Sequence, residues 1–268
     1  MIELKQSTGN PDIDHYIEAI ISIYETTFPA RIRGYYLVGS YGDDTAVSGS
    51  DIDMEILFKD AMTSDEIQQC NTLKAACRTL SPIHLDLPTK TEANLAEEDT
   101  VALKLNSKFV YGEDTRALMP LPAMDVYLSN ISLPAHRGLT FRLRGDTVSL
   151  PLDYPVPEDE FYGYIPDIYR TGTTPIKLWV VHVGWLATFL LVYQAKVYVP
   201  SKRHMLQLYR EHINDAWTDF IAEVYERGRN EWHYKIPQDD DDLAHFKDLC
   251  RQTLAFEIHA ASVYLKYL

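Results

Sequence analysis

Residues 35–58 read Tyr35-Tyr36-Leu37-Val38-Gly39-Ser40-Tyr41-Gly42-Asp43-Asp44-Thr45-Ala46-Val47-Ser48-Gly49-Ser50-Asp51-Ile52-Asp53-Met54-Glu55-Ile56-Leu57-Phe58. An apolar run ends at Val38, and a small-residue turn, Gly39-Ser40, follows it. Ten residues on, two aspartates flank one isoleucine and open a strictly alternating segment. In a strand, alternate side chains share a face, so Asp51 and Asp53 point the same way, roughly 6–7 Å apart along the backbone. Glu55 and Leu57 share that face, and Ile52, Met54, Ile56 and Phe58 take the other. Paired carboxylates are poor core residues and good hard-oxygen ligands for Mg²⁺. A Gly-Ser turn offers backbone N–H groups and a hydroxyl to phosphate. Together they are the parts needed to handle a nucleoside triphosphate.

Working outward, Gly34–Val38 is expected to be a strand entering the turn. Before it, Asn10-Pro11 has the form of an N-cap with proline at the first helical position. Ile13, Tyr16, Ile17, Ile20, Ile21, Tyr24 and Phe28 then recur with helical period. After Phe58, Thr63-Ser64-Asp65-Glu66 is a capping box opening a helix to about Leu80. Ile83–Leu87 alternates as a third short strand, with His84 and Asp86 on one face. A further helix is expected over Glu92–Ser107. Residues 121–175 lose periodicity and are rich in proline, which suggests a connector with a small hairpin around Thr140–Leu150. From Ile176 the pattern is helical: 176–194, 201–210, 215–229 and 243–268. The domains expected are therefore 1–120, a connector over 121–175, and a helical domain over 176–268. The fold class is α+β: a small mixed sheet with flanking helices, then an α-helical bundle.

The chain has 268 residues, 46% of them hydrophobic, and a formal net charge of −14. That balance disfavours a long nucleic acid, whose backbone needs clustered Lys and Arg. It suits a small neutral or cationic acceptor. Cys70, Cys77 and Cys250 cannot all pair, and none has metal-ligand spacing with another, so the reduced cytoplasm is the expected home. The first residues lack the charged-then-apolar pattern of a signal peptide. The most apolar stretch, Leu178–Tyr193, contains His182 and falls short of the ~20 residues of a bilayer span. No membrane association is expected.

The combination of Val38-Gly39-Ser40, Ser50-Asp51-Ile52-Asp53 and an acid in Leu85-Asp86-Leu87 resembles the DNA polymerase beta-type nucleotidyltransferase superfamily. An amino-terminal domain of this type followed by helices looks like the aminoglycoside adenylyltransferases of the streptomycin/spectinomycin type. Sequence-level specificity rests mainly on residues 38–53; over the rest the match is one of layout, with two suggestive segments. Lys108–Asp114 carries a Tyr-Gly-Glu-like stretch, and Pro200-Ser201-Lys202-Arg203 opens a helix where these proteins put a lysine that reaches the triphosphate. The resemblance implies transfer of a nucleoside monophosphate from ATP to an acceptor hydroxyl with two Mg²⁺ ions. It implies Asp51 and Asp53 as ligands of both ions, and Asp86 as a third ligand or as general base. Gly39, Ser40, Ser50 and Lys202 would bind the nucleotide, and the acceptor would sit between the domains. A small molecule such as an aminoglycoside is the first acceptor expected. A protein or tRNA end, as in toxin–antitoxin nucleotidyltransferases, and a non-catalytic nucleotide-binding regulator are the alternatives. Oligomeric state is not legible.

Overall fold

The computed structural model describes every residue except Met1, Pro82, Glu97, Asp99 and 141–143. The chain divides into two compact units, Met1–Val126 and Tyr127–Leu268.

In the first unit, helix α1 (Pro11–Thr27) starts at Asn10, whose side chain accepts from the N–H groups of Asp12 and Ile13. Its buried stripe is Ile13, Ile17, Ile20, Ile21 and Tyr24. Strand β1 (Ile32–Val38) leads into a one-turn helix, α2 (Gly39–Gly42). A loop connects this to strand β2 (Ile52–Phe58). Helix α3 (Ser64–Leu80) begins with the expected capping box: the Glu66 N–H donates to the Thr63 hydroxyl and the Thr63 N–H to the Glu66 carboxylate. Arg31 reaches that same carboxylate and, with Thr63, holds Glu66 down at about 2. Strands β3 (Leu85–Asp86) and β4 (Thr89–Thr91) follow, then helix α4 (Val101–Asn106) and strand β5 (Lys108–Gly112).

The sheet is mixed, in the order β3-β2-β1-β5, with β4 also on β2. Strand β1 is antiparallel to β2 and to β5, and β2 is parallel to β3 and β4. The alternation in β2 sorts the two faces as the sequence requires. Ile52, Met54, Ile56 and Phe58 join α1 residues in one core, whereas Leu57 packs with Tyr36, Leu95, Leu103 and Met119 on the other. Asp51, Asp53 and Glu55 lie along that second face, beyond its small apolar cluster. At about 1.5–3 kcal/mol per buried large side chain, the first core dominates the stability of this unit.

In the second unit, helix α5 (Met124–Leu139, begun in the last residues of the first unit) occupies much of the stretch expected to be a connector. Its buried residues Tyr127, Leu128, Ile131, Ala135 and Leu139 keep a helical period that the internal Pro134 disguises. The expected hairpin is not seen: residues 144–150 form bends without strand pairing, and 141–143 lie outside the described residues. After the short α6 (Asp167–Arg170), helices α7 (Lys177–Ala195), α8 (Lys202–His212), α9 (Thr218–Tyr225) and α10 (Asp240–Tyr267) make the bundle. A six-residue π-helical segment, Glu226–Glu231, extends α9. Helix α7 is long and apolar enough to cross a membrane by composition, but its Trp179, Val180, Val183 and 186–192 are buried within the protein. The four aspartates 239–242 start α10: Asp239 caps it by accepting from the Asp241 and Asp242 N–H groups. The other three sit in its first turn, where the helix dipole favours anions. Cys70, Cys77 and Cys250 are free thiols, all buried.

Candidate functional site

The site is built where β1 ends. Val38 pairs with Asp53 across the antiparallel β1–β2 ladder, and Asp53 pairs with Asp86 across the parallel β2–β3 ladder. One row of the sheet thus brings together the residue before the Gly-Ser turn, the second aspartate and the third acid. Gly39 turns the chain with φ +61°, a left-handed conformation that L side chains rarely adopt. It is also packed closely: a Cβ there would stand 2.7 Å from Asp53 Oδ2. The Gly39 backbone and the Asp53 carboxylate are therefore direct neighbours.

The loop between α2 and β2 is held by its own polar groups. The Asp43 N–H donates to the Gly39 carbonyl at 3.1 Å and the Thr45 N–H to the Ser40 carbonyl at 2.9 Å. Asp43 accepts from the Thr45 N–H and hydroxyl. Asp44, at φ +59°, is ion-paired with Lys108, which also donates to the Ser7 carbonyl. Ser50 was expected to touch nucleotide. It is buried instead, and its hydroxyl oxygen accepts from the Val47 N–H at 2.9 Å while its own N–H donates to the Val47 carbonyl. Its place is the closure of the loop that delivers Asp51. Burial raises the Tyr41 hydroxyl above its ordinary range, and the Asp51 charge adds to this.

Asp86 is the acid whose surroundings sequence did not reveal. Its Oδ1 is 2.9 Å from Lys74 Nζ and 2.8 Å from Arg78 Nη2, both on α3. Among the described residues no three His, Cys, Asp or Glu side chains gather as a ready-made metal cluster. The backbone aligns Asp86 with Asp53, while its carboxylate is engaged by α3. Further along the same face, Lys90 lies between Glu55, at 3.8 Å, and Glu98, at 3.2 Å.

Comparison of the fold finds a spectinomycin adenyltransferase from Enterococcus faecialis, solved with ATP and spectinomycin, at TM-score 0.52. The likeness covers 89% of this chain and 99% of that one, at 12% identity. This chain has the nucleotidyltransferase fold. A toxin-antitoxin structure with AMP-PNP is similar at TM-score 0.29 and 21% identity, over 44% of this chain and 90% of that one, and at that distance carries no argument. No family model and no curated protein matches the sequence.

On this nucleotidyltransferase sheet, the residues present fit a divalent ion. Mg²⁺ is usually bound by one or two carboxylates together with substrate phosphates, not by an all-protein cage. Asp51 and Asp53 are the two carboxylates that could form such a pair. The Gly39 cradle that a Cβ would fill lies against Asp53. Lys202, in the second unit, is the first residue of α8 and is exposed, with Arg203 next to it and no acid in that first turn.

Proposed function

We propose that this chain is a Mg²⁺-dependent adenylyltransferase that moves AMP from ATP to a hydroxyl of a small cationic acceptor of the aminoglycoside class. The observation that carries the reading is the contact between Gly39 and Asp53. It makes a turn able to face phosphate and a carboxylate able to hold metal into one surface.

In the reaction, the acceptor oxygen forms a bond to the α-phosphorus and gives up its proton to Asp86 or to solvent, the bond from that phosphorus to the bridging oxygen breaks, and pyrophosphate leaves. Asp51 and Asp53 would hold the divalent ions, with Asp86 as third oxygen donor, and the ions would supply Lewis-acid stabilisation of the charge that develops. Gly39 and Ser40 orient the β- and γ-phosphates through backbone N–H groups and the Ser40 hydroxyl. Ser50 keeps the Asp51 loop closed. Lys202 neutralises phosphate charge.

Electrostatics supports both partners. Residues 1–126 hold 21 of the 39 Asp and Glu but only 10 of the 25 Lys and Arg. Arg31, Arg33, Lys74, Arg78, Lys90, Lys108 and Arg116 of that set already face carboxylates. A triphosphate therefore needs metal ions and cations from elsewhere in the chain. Lys202 and Arg203 sit at the positive end of a helix, where cations oppose the dipole by about 0.3–1 kcal/mol. An anion bound there would turn that cost into a gain. The acidic balance equally favours a polycationic acceptor.

The test is transfer of label from α-labelled ATP with Mg²⁺ to a panel of aminoglycosides. Label on one of them is the expected result. ATP binding without transfer would leave a nucleotide-binding regulator, and label on protein would move the acceptor to that class.

A further inference from the structure

We propose that Arg78, seconded by Lys74, is a positioning residue that fixes the third acid of the site. The inference rests on the reading of Asp86 as an oxygen donor beside Asp53. Strand β3 is only two residues long and lies at the sheet edge, so its backbone alone holds Asp86 weakly. Arg78 compensates from α3. Its Nε donates to the Leu85 carbonyl at 2.7 Å, and its Nη2 donates to Asp86 Oδ1 at 2.8 Å. One planar guanidinium therefore ties the backbone of one residue to the side chain of the next. Lys74, one helical turn earlier, meets the same Oδ1 at 2.9 Å.

Both cations converge on Oδ1, and the ladder pairs Asp86 with Asp53, so Oδ2 is the oxygen this reading assigns to the metal ion. Stability is a poor explanation for the arrangement. The Asp86 and Arg78 side chains are 44% and 41% exposed, and ion pairs of that kind contribute about 0–1 kcal/mol. Geometry is the better one, because the planar guanidinium fork holds the Leu85 carbonyl and the Asp86 carboxylate in one fixed relation. Lysine, a point charge on a flexible stem, fixes that relation less well. Support of this kind behind a metal-binding carboxylate is commonly worth about 10–100-fold in metal affinity.

The experiment measures Mn²⁺ affinity, by electron paramagnetic resonance in the presence of a non-hydrolysable ATP analogue. It compares the unaltered protein with Arg78→Met, Arg78→Lys, Lys74→Met, Asp86→Asn and the Arg78→Met/Asp86→Asn double variant. Arg78→Met and Asp86→Asn should each weaken Mn²⁺ about tenfold, the double variant no more than Asp86→Asn alone. Arg78→Lys should recover little, and Lys74→Met should lose less than Arg78→Met. Thermal midpoints should stay within a few degrees, which separates positioning from folding; if Arg78→Met does not fold, Arg78→Lys and Lys74→Met carry the comparison. Unchanged Mn²⁺ affinity in Arg78→Met, losses that multiply in the double variant, or an Asp86→Asn variant that binds Mn²⁺ normally would each overturn the proposal. The labelling assay above stands apart: the expected Mn²⁺ losses without any transfer would keep the clamp and sink the transferase reading.

Discussion

Gly39 lies against the carboxylate of Asp53, so closely that a single added methyl would reach within 2.7 Å of Oδ2. Val38, the residue before it, pairs with Asp53 across the ladder. The turn and the aspartate are one rigid piece of sheet, and any change to either is felt by both.

Gly39→Ala should therefore be costly twice. The left-handed φ of +61° alone costs an alanine about 1–2 kcal/mol. The new methyl also pushes on Asp53. Nucleotide binding, measured by calorimetry with an ATP analogue and Mg²⁺, should drop by at least tenfold. An alanine variant that binds nucleotide like the parent would show that the contact does not matter.

Asp53→Asn keeps the size of the side chain and removes the charge. Transfer of labelled AMP should fall to background while the thermal midpoint changes little. Full activity in this variant would dismiss the metal-ligand role.

Ser50→Ala separates a loop role from a nucleotide role. Removing the hydroxyl takes the partner from the part-buried Val47 N–H, which costs about 0.5–1.5 kcal/mol. The melting temperature should fall, with the KM for ATP nearly unchanged. A raised KM at constant melting temperature would return Ser50 to the nucleotide.

Lys202→Met tests the phosphate role directly, by taking a cation from the start of α8. The KM for ATP should rise several-fold. A loss of stability with unchanged KM would make Lys202 a structural residue.

The second unit carries its own pH dependence. Glu257 is buried, and burial by itself pushes its carboxyl up. Hydrogen bonds and charge from His182, at 2.7 Å, and Arg144, at 2.8 Å, outweigh this and hold it below its usual value. A depressed carboxyl binds its proton later in the folded state than in the unfolded one. Its contribution is thus complete above the unfolded value of about 4.3 and is lost as pH falls below that. Melting temperatures measured between pH 7 and 3 should decline at the acid end. Glu257→Gln should lower the whole curve, because Arg144 would lose its carboxylate, and should flatten that decline. An unchanged acid slope would assign the loss to other carboxylates.

The parts of the fold that were legible had a single strong period. The apolar stripe of α1, the capping box of Thr63 and Glu66, and the alternation of β2 each appear where the residues demand them. Helix α5 was hidden because Pro134 and its neighbours Pro120 and Pro122 outweighed a five-residue buried stripe. Strands β4 and β5 were hidden because three to five residues carry too little pattern, and they exist through pairing with β2 and β1. Among the described residues, the helix expected over Glu92–Ser107 is a 3₁₀ turn at Glu92–Asn94 and α4. Around the candidate site, the spacing of turn and strand accounts for Gly39 lying against Asp53. The engagement of Asp86 was not legible, because it depends on α3 folding back to the strand edge. Its one visible trace is the four-residue spacing of Lys74 and Arg78.

The three buried thiols make the protein its own unfolding reporter. Burial raises all three thiols above their ordinary value, Cys70 to about 11. Only the thiolate reacts with alkylating reagents, so the native chain should be silent to them at neutral pH. Cys70 and Cys77 lie in the first unit and Cys250 in the second. Pulsed alkylation read by mass spectrometry would then time the opening of each unit separately, with no label introduced.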